Sequence, residues 1–342
     1  MDVLLVLGSQ LVADRGLLTS LAGNTAWDLD VGLRVVSAAT AEELAAHDGP
    51  AVVAPADPAL LAAAPANTVF YDLTVAAEPA SPQHLHGRGV WGLAWAIKHA
   101  VHRLREPAAR VAYGDHPEQW ADERVPTGAP DAPSGAPVGI LLHGGFWRSN
   151  WAADLMDALA IDLTARGWIS WNLEYRRPDR HGWAATTADV AAGLVKARQR
   201  HPGAPIVLFG HSAGGQLALR LAADDPDLAL AVSLAGVIDL GEGQRRFLGE
   251  GAITTALGGG PDDVPDVYAA SDPMARLPLA SPALLVQGSG DGLDLVDINR
   301  RFAAASGITL LEQAGDHFDV IAPGSPIWAA TMAEVERQIS RR

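Results

Sequence analysis

One serine of this chain sits in a pattern suited to nucleophilic attack. The segment IVLFGHSAGGQLALRLA (Ile206–Ala222) runs an apolar strand into Gly210-His211-Ser212-Ala213-Gly214 and leaves at once as a helix. G-x-S-x-G between a strand and a helix reads as a nucleophile elbow. The flanking glycines permit a turn too tight for a Cβ. The turn lifts Ser212 off the sheet, and the helix N-terminus behind it favours a developing negative charge. The bare five-residue pattern is weak in a chain with 35 glycines, so its setting carries the reading. A serine needs a base, and the base needs an orienting acid. His317 lies in LLEQAGDHFDVIAP (Leu310–Pro323), a loop after the last strand, and is the candidate base. Asp291 lies at the tip of the turn in LLVQGSGDGLDL (Leu284–Leu295), at the C-terminal edge of its strand, and is the candidate acid. Asp294 and Asp297 are its rivals; Asp294 sits deeper in the loop, and Asp297 reads as a cap for a helix over Asp297–Ala305. A second glycine turn, His143-Gly144-Gly145, ends the apolar run in VGILLHGGFW (Val138–Trp147), and His143 reads as a support beneath that turn.

These residues need a sheet to hold them. Apolar runs at Val138–Leu142, Ile169–Tyr175, Ile206–Phe209, Leu230–Leu234, Ala283–Val286 and Ile308–Leu311 are spaced by helical stretches, which predicts a mostly parallel, doubly wound sheet. Arg110–Tyr113 and Gln119–Val125 predict a strand pair around Gly114-Asp115-His116-Pro117, followed by a Pro/Gly-rich loop over Pro126–Pro137. Residues 1–105 show a separate alternation. Strands are expected at Val3–Leu7, Leu33–Val36, Ala51–Ala54 and Thr68–Leu73, a helix opening at a capping box on Thr40, and another over Trp91–Leu104. The organisation expected is a small α/β domain over 1–105 and a larger one over 106–342.

Composition narrows the function. The chain has 342 residues, 49% of them apolar, and no cysteine. Disulfides, Cys-ligated metals and a cysteine nucleophile are excluded. The net charge is −15, and both halves are acidic, which argues against a nucleic-acid partner. No apolar run reaches the roughly 18 residues of a membrane span. The opening MDVLLVLGSQLVADRG lacks a basic leader region and reads as a buried strand, so the cytoplasm is the expected compartment.

HGGFW, GHSAGG, the G-S-G-D turn and AGDHFDVIAPGSP together resemble the α/β-hydrolase fold over about residues 110–342. Within it they are similar to the kynurenine formamidase (arylformamidase) and carboxylesterase group related to hormone-sensitive lipase. The resemblance implies a Ser212–Asp291–His317 triad and an oxyanion hole from the N–H groups of Gly144, Gly145 and Ala213. It implies hydrolysis of short-acyl carboxylic esters or aryl formamides through an acyl-enzyme, with no metal or organic cofactor. Phe146 departs from the lipase-type pattern, which has a third glycine there; an aromatic followed by Trp147 fits the formamidase-like group. Both rings are expected to line the substrate site. The expected partner is a small ester or amide, with no membrane, and a homodimer is compatible with the reading. The alternative function is a non-catalytic ligand-binding or scaffold protein on the same fold.

The first 105 residues resemble type II 3-dehydroquinate dehydratase, through LLVLGSQ and a G-x-G-x-x-G turn entering a late helix. That family's catalytic residues have no counterparts that can be placed here, so a degenerate flavodoxin-like module is expected. Gly87–Gly92 matches a dinucleotide-binding pattern but has no expected strand immediately before it, so it reads as a helix-entry turn. His84 with His86, and His99 with His102, read as solvated faces rather than metal ligands. Asp239–Pro278 is long enough for a small cap and lacks the long apolar face of a lipase lid.

Overall fold

A computed structural model describes residues 1–61, 64–76, 83–126 and 135–341, which form two compact units, Met1–Ala108 and Ala109–Arg342. Most of the Pro/Gly-rich segment expected as a loop lies outside the described residues.

The first unit is built from β1 (Asp2–Leu7), α1 (Arg15–Asp28), β2 (Gly32–Val36), α2 (Ala41–Ala45), β3 (Ala51–Ala54), α3 (Pro58–Leu61), β4 (Thr68–Asp72), β5 (His84–His86) and α4 (Gly92–Arg105). The described strands are all parallel, in the order β2-β1-β3-β4-β5, which is the flavodoxin-like order. Leu4, Val6, Val53 and Phe70 bury one face of the sheet, and Val3, Leu5, Leu7, Val52 and Val69 bury the other against α1 and α4. Burial on both faces explains the unbroken apolar runs. Thr40 makes the expected capping box with Glu43. Two expectations are corrected here. A three-residue strand, β5, does precede Gly87. It lies at the sheet edge, however, and the Tyr71 hydroxyl donates to the Gly89 carbonyl inside the turn. His84, His86 and His99 are buried rather than solvated, and His84 Nε2 lies 2.8 Å from Asp72 Oδ2.

The second unit contains β6 (Ala109–Ala112), β7 (Trp120–Arg124), β8 (Val138–Leu142), α5 (Asp157–Ala165), β9 (Ile169–Leu173), α6 (Pro178–His181), α7 (Trp183–Arg200), β10 (Ile206–His211) and α8 (Ala213–Asp224). It continues with β11 (Leu230–Leu234), α9 (Leu240–Arg245), α10 (Ala252–Leu257), α11 (Pro265–Ser271), β12 (Ala283–Gly288), α12 (Leu293–Ser306), β13 (Leu310–Gln313) and α13 (Pro326–Ile339). The sheet order is β13-β12-β11-β10-β8-β9-β7-β6, antiparallel only where β7 meets β6 and β9. β10 is central, between β8 and β11, with Gly210 opposite both Leu142 and Ser233. The central strands are buried along their whole length, so the segments leaving their C-terminal ends share one edge.

The strand next to the sheet edge carries a buried carboxylate. Glu123 on β7 accepts from Arg200 Nη2 at 2.6 Å and lies 2.7 Å from His201 Nε2. Burial pushes the Glu123 carboxyl up, but the His201 and Arg200 contacts outweigh it and hold the group down at about 2. A folded value below the usual 4.5 stabilises the fold above pH 4.5, and that stabilisation is lost as the pH falls towards 2. Screening by solvent at the exposed Arg200 partner reduces its size to roughly 1–2 kcal/mol. Glu123→Gln is therefore expected to lower unfolding free energy by roughly that amount at neutral pH, with the difference from wild type closing below about pH 4. Urea titrations at several pH values would measure it, and a pH-independent difference would contradict the assignment.

Candidate active site

The elbow forms where β10 gives way to α8. Ser212 has φ 54° and ψ −115°, a strained conformation for a residue with a Cβ. Its N–H donates to Leu234 O at 2.8 Å, and its carbonyl accepts from Val237 N and Gly215 N, so the turn is held from the neighbouring β11 connection. Gly214 is obligatory here, because a Cβ would lie 2.1 Å from the Leu142 carbonyl at the end of β8. Ala213 begins α8, which puts its N–H at the helix N-terminus beside the serine.

The His143-Gly144-Gly145 turn lies directly against that elbow. A Cβ on Gly144 would meet His211 Nδ1 at 2.8 Å and Ser212 Cβ at 3.0 Å. His143 is a support, as its sequence position suggests. Its Nδ1 lies 2.8 Å from the Gly144 carbonyl, and its Nε2 lies 3.3 Å from Glu174 Oε1. Tyr175 stacks on the His143 ring and donates its hydroxyl to the His143 carbonyl at 2.8 Å. Arg177 pairs with Glu174 from below. Fixing the Gly144 carbonyl fixes the trans peptide that follows, and with it the direction of the Gly145 N–H.

Asp291 and His317 come from the loops after β12 and β13, which are stitched together. Ser289 N donates to Gln313 O at 2.7 Å and Gly290 N to Gly315 O at 2.8 Å. His317 Nδ1 then lies 2.8 Å from Asp291 Oδ2. The same oxygen accepts from Gln287 Nε2 at 2.9 Å, and Oδ1 accepts from Gly292 N at 2.6 Å. Burial opposes ionisation of Asp291, but the His317 hydrogen bond and charge, helped by Gln287 and Gly292, hold its carboxyl below the usual range. The rivals point elsewhere. Helix α12 starts at Leu293, so Asp297 lies within it and does not cap it. Arg246 binds Asp294 at 3.1 Å and Asp297 at 2.6 Å.

Three supports escaped the sequence. His211 Nε2 lies 2.9 Å from the His317 carbonyl and so holds the loop that carries His317. Burial, reinforced by the charge of a protonated His317, pushes the His211 imidazole down to about 3 and leaves it neutral. Gln287 ends an otherwise apolar strand, and that lone polar residue was the available signal. Gln216, on the buried face of α8, accepts from the Trp147 indole N–H at 3.2 Å. This last contact changes the picture of the two aromatic residues. Trp147 is 1% exposed and packs edge-to-face on Trp183 within the core rather than presenting its ring. Phe146 and Trp147 both have positive φ, 51° and 56°, so the chain coils left-handed after Gly145 and turns the indole inward. Phe146 is only partly buried and packs against Gly249, whose carbonyl accepts from Arg148.

Fold and geometry together define a class. The chain belongs to the alpha/beta hydrolase family, whose model matches residues 140–336. Esterase LipC of Mycobacterium tuberculosis is similar, at 28% identity over 255 residues, or 64% of this chain. The chain spans only 62% of that relative's length. Among solved structures, esterase B of Lactobacillus rhamnosis superposes with a TM-score of 0.56 at 17% identity, covering 68% of this chain and 84% of that one. The thermophilic esterase Est2 of Thermogutta terrifontis gives 0.53 at 20% identity, covering 67% and 90%. At these identities the two structures speak for the fold.

Proposed function

We propose that the protein is a serine hydrolase that cleaves short-acyl carboxylic esters or aryl formamides. The observation that carries this reading is the hydrogen-bonded His317–Asp291 pair at the sheet edge where Ser212 occupies a strained elbow under a glycine loop. His317, oriented through Nδ1 by Asp291, takes the Ser212 proton at Nε2. Ser212 Oγ attacks the carbonyl carbon, and the tetrahedral oxyanion is met by the N–H groups of Gly144, Gly145 and Ala213. The imidazolium returns the proton to the leaving alcohol or amine. Water then releases the acyl group by the same route. Similarity to an esterase supports the ester reading.

The acyl side is read as narrow. Phe146 stands where a third glycine would leave space, and Arg148 and Gly249 lock the ring's surroundings. The segment after β11 folds into α9, α10 and α11, which bury Leu240, Ile253, Leu257 and Tyr268 in the unit's core, so this cap is tied down. Among the described residues no helix is long and apolar enough to cross a membrane. Formyl and acetyl esters are therefore expected to be cleaved better than octanoyl esters, without interfacial activation. Measuring kcat/KM along a p-nitrophenyl acyl series decides it, and an optimum at eight carbons or more would refute the narrow site. Turnover of N-formylkynurenine would extend the activity to formamides; its absence beside a short-chain optimum would leave an esterase.

A further inference from the structure

We propose that His116, Glu118 and His181 form a binding site for a divalent transition-metal cation of the zinc class. His116 and Glu118 lie in the turn between β6 and β7, and His181 is the last residue of α6. One ligand atom from each lies within 4.8 Å of the other two. Two imidazoles and one carboxylate are a donor set suited to Zn²⁺, and three protein ligands leave a position for water. All three side chains are part-buried, so solvent can fill that position.

The turn is built to hold these groups. Gln119 closes it through its N–H on the His116 carbonyl at 2.9 Å and its Oε1 on the His116 N–H at 3.0 Å. Gln119 Nε2 is anchored to Asp189 on α7 at 2.6 Å. Arg177 donates to Glu118 Oε1 at 2.6 Å, which orients the carboxylate and leaves Oε2 directed at the imidazoles. Oε2 is buried and makes no well-formed hydrogen bond, although His181 Nε2 lies 2.9 Å away. The two rings meet edge-to-face with centroids 4.8 Å apart. A tetrahedral zinc ion needs donor atoms roughly 3.4 Å apart, so a modest rotation of the rings closes the set. His116 Nδ1 now accepts a long 3.2 Å bond from Glu118 N, and ligation by His116 gives up that one contact. The chain's net charge of −15 favours cation capture.

None of the three ligands belongs to the triad or to the glycine loop, so hydrolysis serves as a check on folding in variants of the two histidines; Glu118 is different, since it reaches the His143 turn through Arg177 and Glu174. The full chain, free of affinity tag and treated with a chelator, is titrated calorimetrically with Zn²⁺, and Co²⁺ is added to read the visible spectrum of a tetrahedral site. The expected result is one equivalent bound, a rise in Tm with Zn²⁺, and affinity weakened at least about tenfold in His116→Gln and in His181→Gln. Both variants, which keep polar side chains, are expected to hydrolyse a p-nitrophenyl ester without metal at the wild-type rate. The absence of saturable binding by wild type would reduce the cluster to an ion pair and overturn the proposal. So would undiminished binding by the double variant, which would place the ion elsewhere. If either variant fails to hydrolyse the ester, His116→Asn or His181→Asn, respectively, replaces it with the same readouts.

Discussion

Ser212→Ala is expected to lower turnover of an activated ester by at least about a thousandfold. In the proposed mechanism the substitution removes the attacking atom, while the N–H groups of Gly144, Gly145 and Ala213 assigned to the oxyanion remain. The residual rate is then that of the oxyanion hole and binding alone, which in such sites still exceeds the reaction in water. Stability should change little, because the turn is held through the Ser212 backbone N–H and carbonyl, which the substitution keeps, and the strained φ of 54° stays. Loss of His317 should cost about as much, and the double variant little more, because the members act as a unit. Single-turnover kinetics with p-nitrophenyl acetate and labelling by a fluorophosphonate measure this. Retention of more than about a tenth of the wild-type rate would reject Ser212 as nucleophile, since nucleophile losses are typically orders of magnitude.

Asp291→Asn should be nearly as damaging, by roughly three to four orders of magnitude. An amide in place of Asp291 can present an N–H to His317 Nδ1. That favours the ring tautomer with its proton on Nε2, which cannot accept from Ser212. The charge that stabilises the imidazolium is lost as well. Asp294→Asn and Asp297→Asn serve as controls of equal size. Both carboxylates bind Arg246, which also binds Glu242 on α9, so they are expected to alter the cap's attachment and leave kcat within a few-fold. The outcome that would move the assignment is a large kcat loss in Asp294→Asn with a mild effect in Asp291→Asn.

Much of this was legible in the chain because parallel sheets bury both faces. Val138–Leu142, Ile206–Phe209 and Ala283–Val286 announce themselves as unbroken apolar runs, and glycine-rich turns follow each one. The elbow is local chemistry. A serine between glycines, with a strand before it and a helix after, specifies its own turn. By the same logic Thr40 and Glu43 specify their capping box. The less visible elements are short or irregular. Helices α9, α10 and α11 have six or seven residues each, too few for a clear period. Strand β5 has three residues, each buried, and two are histidines, so composition hides it.

What sequence alone determined is the order of parts: a small parallel α/β unit, then a sheet whose strand ends carry a glycine loop, a serine, an aspartate and a histidine. Short-range rules suffice for that, since strand, turn and elbow depend on neighbours in the chain. Sequence favoured Asp291 as the partner of His317 over Asp294 and Asp297; tertiary structure decided it, because α12 starts at Leu293 and the two rivals on it pair with Arg246. It decided that Trp147 turns inward to Gln216 while Phe146 stays partly exposed, through two left-handed residues that no local preference predicts. It also brought His116 and Glu118 beside His181, more than sixty residues away in the chain, a meeting of β6–β7 turn and α6 set only by how the sheet edge packs. Contacts between residues far apart in the chain depend on register and packing, and those are properties of the assembled sheet.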